Sequence, residues 1–245
     1  MSTLLALHGF TGSPRSWDFL PERKSVPRLV PALIGHAGSD AGGNIASFED
    51  EVDRLVALTP ELGTVQVIGY SLGARLALGL ALRHPGRVSR LTLISAHPGL
   101  TSAAERSARR DSDAAWCDIL LTRGLTAFVD AWQAQAMWAS QAGLSHRLLG
   151  QKRSERLSHS AQGLARSLRV TGLAEMPNYT ARLAELRVPV TLLCGQLDHK
   201  FCAHAQLIAE RVAHAELQIV PGAGHDLLLE RPELISDVIR RGQAL

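Results

Sequence analysis

The sequence predicts an α/β fold: a mostly parallel, twisted sheet of about six strands with helices on both faces. Short, almost wholly apolar runs recur along the chain, each closed by a turn rich in Gly, Pro or Ser. Segments of helical periodicity stand between them, and strands buried on both faces give unbroken apolar runs of this kind. The long segment between the fourth and fifth runs holds helical patterns and no convincing strand.

The elements follow in order. TLLAL (Thr3–Leu7) is a first strand, ended by HGFTGSP. Residues 28–33 (RLVPAL) form a second, ended by GHAGS. Residues 47–58 place Phe48, Val52, Leu55 and Val56 on one helical face. Residues 65–68 (VQVI) are a third strand, and SLGARLALGLALRH after them is a helix. Residues 90–94, 189–194 and 216–220 are strands four to six, ended by SAHPG, GQLD and PGAGH. Residues 1–96 and 188–245 then make one core. Residues 97–187 make a helical lid over the strand ends, an insertion and not an independent domain. A chain of 245 residues carries a single core of this size.

Composition narrows the function. Apolar residues make up 46% of the chain, which excludes disorder. No apolar run reaches membrane-span length, and the N-terminus lacks a signal-peptide pattern. The three cysteines form no CxxC motif, so reduced thiols and a cytoplasmic location are expected. A net charge of +3 gives no argument for nucleic acid. Its distribution is uneven: residues 97–187 hold 12 Lys and Arg against 8 Asp and Glu. That excess is either a solvated helical surface or a site for an anionic ligand. No His, Cys and Asp cluster has metal-ligand spacing, so neither metal nor organic cofactor is expected. A monomer acting on a small molecule is the expected form.

Gly69-Tyr70-Ser71-Leu72-Gly73 lies between a strand and a helix. A GxSxG pattern carries little alone. In this context it describes a sharp turn that strains the serine backbone and lifts its hydroxyl above the sheet edge. The competing assignment is an ordinary helix-capping serine. A serine nucleophile needs a base, and the base an orienting acid. His225, after the sixth strand, and Asp198, after the fifth, stand where loops at the strand ends would supply them. His8-Gly9-Phe10, after the first strand, can turn the Phe10 N–H toward the serine, with the Leu72 N–H as its partner in an oxyanion hole. His8 and His36 are expected to shape their glycine loops, His84 to end its helix, and His146, His159 and His214 to lie on the surface. Arg75 is a cation near the positive end of a helix dipole, on the same side as Ser71. An acidic ligand, or a neighbouring acidic side chain, would account for it.

These motifs together resemble the α/β-hydrolase fold, with its usual leading antiparallel strands missing. A narrower resemblance lies in GYSLGAR, HPGL (97–100), ERSARRDSDAAW, FVDAW, GQLDHKF and GAGHD…ERPE, in that order and spacing. It is to the menaquinone-pathway synthases that make 2-succinyl-6-hydroxy-2,4-cyclohexadiene-1-carboxylate, and it covers nearly the whole chain. The resemblance implies that Ser71, Asp198 and His225 are the triad. It implies that Tyr70, Arg75, Arg109, Trp132 and Arg153 bind substrate, with weaker claims for Arg106, Arg110 and Arg156. It also implies the reaction: a proton is taken from carbon beside a ketone of a polycarboxylated cyclohexene, and pyruvate leaves. The second-strand loop departs from the family, reading ALIGHAGS where an aspartate and a proline usually precede Gly-His. The alternatives are a carboxylesterase or C–C bond hydrolase with the same triad, and a receptor on the same fold that turns over little.

Overall fold

The computed structural model describes residues 3–21, 26–39, 44–61 and 63–242. Six strands form one sheet: β1 (Thr3–Leu7), β2 (Arg28–Leu29), β3 (Val65–Tyr70), β4 (Val88–Ile94), β5 (Val190–Gly195) and β6 (Ala215–Val220). Their order is β2-β1-β3-β4-β5-β6, and every pairing is parallel. The order runs outward in both directions from β1 and β3. Loops from the C-terminal ends of these two strands therefore meet where ligands bind in open α/β sheets.

Alternation along each strand feeds two apolar layers. Leu5 and Leu7, Val65 and Val67, Leu91 and Leu93 face helices α1 (Phe48–Ala57), α2 (Leu72–Arg83) and α7 (His199–Ala209). Leu4 and Ala6, Ile68 and Tyr70, Ile94 and Leu193 face Trp17 and helices α8 (Leu227–Glu230) and α9 (Pro232–Gly242). β2 is shorter than the sequence suggests. It is an edge strand, and Pro31, which lacks an N–H, stands where the ladder would continue. Leu76 on α2 is fully buried, so Leu76→Ala is expected to cost roughly 2–5 kcal/mol. A lower denaturant midpoint at unchanged slope would register it.

Between β4 and β5 stand α3 (Ala103–Asp118), α4 (Gly124–Gln133), α5 (His146–Leu157) and α6 (Ala161–Thr171). A π-helical turn, Ile119–Arg123, joins α3 to α4. These helices have their own apolar centre, in which Leu120, Phe128, Val129, Leu164 and Leu168 pack with Trp116, Trp132 and Phe10. The expected insertion, 97–187, includes residues that pack with the main core. Leu173, Met176, Tyr179, Leu183 and Leu186 are buried in the main core beside α2, so the separate helical layer ends near Gly172. Among the described residues no helix is long and apolar enough to cross a membrane.

Candidate active site

β3 runs directly into α2 through Ser71, with no room for a wider loop. A Cβ on Gly69 would strike the Gly73 carbonyl, and one on Gly73 the Leu7 carbonyl. The two glycines are thus required by backbone contact. Ser71 has φ +52° and ψ −107°, a left-handed conformation that costs a non-glycine residue on the order of 1–3 kcal/mol. Its N–H donates to the Ile94 carbonyl (2.9 Å), tying the turn to β4. Its hydroxyl makes no helix-capping bond, which removes the capping alternative.

The hydroxyl instead meets His225. Ser71 Oγ lies 3.0 Å from His225 Nε2, and His225 Nδ1 lies 2.6 Å from Asp198 Oδ2. With Nδ1–H donating to the carboxylate, Nε2 is left as the acceptor for the serine proton. The imidazole is almost wholly buried, and the Ser95 hydroxyl donates to its main-chain carbonyl (2.9 Å). Glu230 holds the same loop by accepting from the Gly224 N–H (2.8 Å). The geometry is that of a nucleophile, a base and an orienting acid. Leu72 begins α2, so its N–H has no partner within the helix. No acceptor is recorded for the Phe10 N–H among the described residues.

A cavity of about 380 Å³ opens over Ser71. Phe10, Tyr70, Ser71, Leu72, Arg75, Arg109, Trp132, Asp198 and His225 all line it. The Tyr70 ring stands beside His225, with centroids 5.5 Å apart. Phe10, Phe128, Trp116 and Trp132 form an aromatic wall. A larger cleft of about 920 Å³, behind α5, contains neither Ser71 nor His225.

The arginines divide. Arg75 donates to the Thr171 carbonyl (2.9 Å) and is bonded to no carboxylate among the described residues. Burial first, then the charge of Arg109, pulls its pKa below the usual arginine value. Arg109 donates through Nε to both Asp113 oxygens (2.9 and 3.0 Å). Two cations at one cavity are thus offset by one buried acid. Arg106 is used on the carbonyls of Leu100, Ala174 and Met176, and Arg110 pairs with Glu175 away from the cavity.

Arg153, expected to bind substrate, is not brought to the cavity with Arg75 and Arg109. It is absent from the cavity lining, and its guanidinium is captured 2.6 Å from Asp130 on α4, with a further bond to Gln133. Arg156, one turn later on α5, is also absent from that lining, but its side chain is buried behind it. It is 3% exposed, its Nε and Nη2 have no hydrogen-bond partner among the described residues, and it lies 5.1 Å from the centroid of Trp138, a cavity residue. Burial is the main influence lowering its pKa. The sequence offered only the three-residue spacing to separate the two, and nothing in it marks which arginine Asp130 takes.

Among the cavity residues not singled out from sequence, Lys200 and His97 carry titratable groups. Lys200 follows Asp198 by two positions. His97 accepts the Gly99 N–H at Nδ1 (3.0 Å), and burial, then His204 and Arg75, pull its pKa down to about 3. It is therefore a neutral ring.

The sequence profile of the alpha/beta hydrolase family matches residues 4–238. The chain belongs to the alpha/beta hydrolase family. Within that family, this hydrolase-fold chain is 38% identical over 241 residues to a Bacillus subtilis (strain 168) protein provisionally named 2-succinyl-6-hydroxy-2,4-cyclohexadiene-1-carboxylate synthase. The match covers 96% of this chain and 88% of that protein. An Escherichia coli (strain K12) synthase of the same name is 33% identical over 232 residues, 94% of this chain and 88% of that one. The structure of MenH from S. aureus superposes with a TM-score of 0.87 at 27% identity, covering 97% of this chain and 91% of MenH. A thermophilic esterase from Thermogutta terrifontis, at 23% identity and TM-score 0.84 over 100% and 90% of the chains, shares the fold. The likeness to the synthases extends through α3–α6, the elements that supply Arg109 and Trp132.

Proposed function

We propose that this alpha/beta hydrolase is a carbon–oxygen lyase of the synthase type, releasing pyruvate from a polycarboxylated cyclohexene in menaquinone biosynthesis. The observation that carries the proposal is the set of underused cations near a serine–histidine pair: Arg75 and Arg109 line the cavity, and Arg156 is buried against its Trp138 wall. Arg75 has only a carbonyl, Arg109 keeps its terminal nitrogens free of the Asp113 bond, and Arg156 has two unpartnered nitrogens. A buried guanidinium without an anion is costly, and carboxylates would satisfy it bidentately. A neutral ester gives no reason for three such groups. In this reading Arg156, buried against the cavity residue Trp138, has the role first expected of Arg153. Synthesis of a soluble polyanion fits a cytoplasmic enzyme.

In this mechanism His225 accepts the Ser71 proton while Ser71 Oγ takes a proton from the carbon beside the ketone. Asp198 keeps the ring in the tautomer that leaves Nε2 free and offsets the imidazolium that forms. The ketone oxygen gains negative charge, which the N–H groups of Phe10 and Leu72 receive, each worth about 3 kcal/mol by comparison with other oxyanion sites. Electrons then move to expel the leaving oxygen as the enolate of pyruvate, which becomes pyruvate as the proton held by His225 is returned to it, restoring the neutral base. Tyr70 and Trp132 form the apolar sides of the site, which strengthens each charge interaction by excluding water. No acyl-enzyme is required.

The test compares two substrates. Pyruvate release from the family substrate, followed with a coupled dehydrogenase, is expected to be rapid. Hydrolysis of p-nitrophenyl acetate is expected to be slow. Rapid ester turnover without pyruvate release would assign the site to a carboxylesterase.

A further inference from the structure

Three histidines outside the triad meet beside the Phe10 loop. His8 and His36 come from the loops after β1 and β2, and His159 from the turn between α5 and α6. His159, expected on the surface, is 6% exposed. Each ring uses both nitrogens on main-chain groups. His8 accepts the Leu33 N–H at Nε2 (3.2 Å) and donates from Nδ1 to the Gly9 carbonyl (2.8 Å). His36 accepts the Thr11 N–H at Nε2 (3.1 Å) and donates from Nδ1 to the Ile34 carbonyl (3.0 Å). His159 accepts the Ala37 N–H at Nδ1 (3.0 Å) and donates from Nε2 to the Thr11 carbonyl (3.2 Å). A ring that accepts at one nitrogen and donates at the other is neutral, so the geometry fixes both charge and tautomer. Burial lowers the pKa of all three in agreement.

Thr11 is therefore held at both main-chain groups, one by a core histidine and one by the helical insertion. Thr11 has φ +63° and Ala37 φ +49°, backbone states that persist only when their surroundings hold them. Phe10 is the residue before Thr11. Around this point the insertion touches the core closely. Gly35 and Gly163 meet backbone to backbone, where a Cβ on Gly35 would strike the Gly163 carbonyl. Glu155 accepts from the Ser13 and Ser16 hydroxyls (2.6 and 2.9 Å).

We propose that His159 is a positioning residue for the oxyanion site: through its ring the helical insertion aims the Phe10 N–H at the place where negative charge develops. The inference rests on the proposed role of Phe10, and His159 touches neither substrate nor Ser71. Without this ring, Thr11 loses one of its two anchors and the Phe10 amide samples other directions, which an oxyanion donor does not tolerate. The carboxylate-binding arginines stand on α2, α3 and α5, so substrate affinity is affected less than turnover.

The test uses three variants of the full-length enzyme. Asparagine places its oxygen where Nδ1 stands and keeps the Ala37 bond. Glutamine places its amide nitrogen where Nε2 stands and keeps the Thr11 bond. Amide hydrogen exchange across residues 8–13 is measured beside kcat and KM for pyruvate release. His159→Ala is expected to accelerate exchange in that peptide and lower kcat about tenfold or more with little change in KM, since weakening one donor forfeits part of the 100- to 1,000-fold seen on donor removal. His159→Gln is expected to recover more of both than His159→Asn. Unchanged exchange and unchanged kcat in His159→Ala would overturn the inference while leaving the lyase assignment intact. Faster exchange with unchanged kcat would overturn it by removing Phe10 from the chemistry. Should His159→Ala fail to fold, Gln and Asn variants of equal activity would overturn it.

Discussion

Ser71→Ala is expected to lower the rate of pyruvate release by roughly 1,000-fold or more, the scale seen when one member of a cooperating triad is removed. The hydroxyl is the group that stands between substrate and the His225 imidazole, 3.0 Å from Nε2. It makes no capping bond, and its backbone tie is through N–H to Ile94, so alanine leaves the turn in place. The loss is therefore expected in kcat, with folding unchanged and binding of the carboxylates preserved. His225→Ala is expected to do as much, because Ser71 alone is a weak base at neutral pH. A control follows from the +52° φ of Ser71. Ser71→Gly relieves the backbone strain, so it is expected to be at least as stable as the parent and equally inactive.

The second large effect separates two arginines one helical turn apart. Arg156→Ala is expected to lower kcat/KM by about 10- to 100-fold, the loss of one charge-assisted hydrogen bond of roughly 1.5–3 kcal/mol. Arg75→Ala and Arg109→Ala are expected to fall in the same range. Arg153→Ala is expected to stay within about twofold, since an exposed pair with Asp130 is worth at most about 1 kcal/mol and touches no substrate. Arg156→Met sharpens the contrast. It keeps the side-chain volume against Trp138 and removes a buried charge whose Nε and Nη2 have no hydrogen-bond partner among the described residues, so thermal stability is expected to hold or rise while kcat/KM drops. A kcat/KM deficit in Arg153→Ala equal to that in Arg156→Ala would contradict the assignment.

Much of the sheet was legible because strands buried on both faces leave an uninterrupted apolar signature, as in Thr3–Leu7 and residues 189–194. The β2 edge was overestimated because LVPAL after Arg28 is apolar throughout, and the missing N–H of Pro31 stops the ladder from continuing. Ser71, Asp198 and His225 were readable because each lies at a strand end, where local pattern and sheet topology place it without long-range detail. The helical insertion was harder. Whether a side chain of α5 turns inward depends on what α4 offers opposite, and Asp130 took Arg153 while Arg156 found no carboxylate. His159 looked like a surface residue in the polar run SHSAQG. Its burial comes from Gly35 and Gly163, which let two backbones meet at a point no local pattern announces.

The central claim is that Ser71 and His225 remove a proton from carbon and do not attack a carbonyl. The most direct measurement is pyruvate release from a substrate carrying deuterium on the carbon beside its ketone, with the intact enzyme mass followed during turnover. A slower release from the deuterated substrate, with no adduct on the enzyme and no release by Ser71→Ala, is the predicted result. A covalent adduct on Ser71, or ester cleavage with no pyruvate formed, would contradict it.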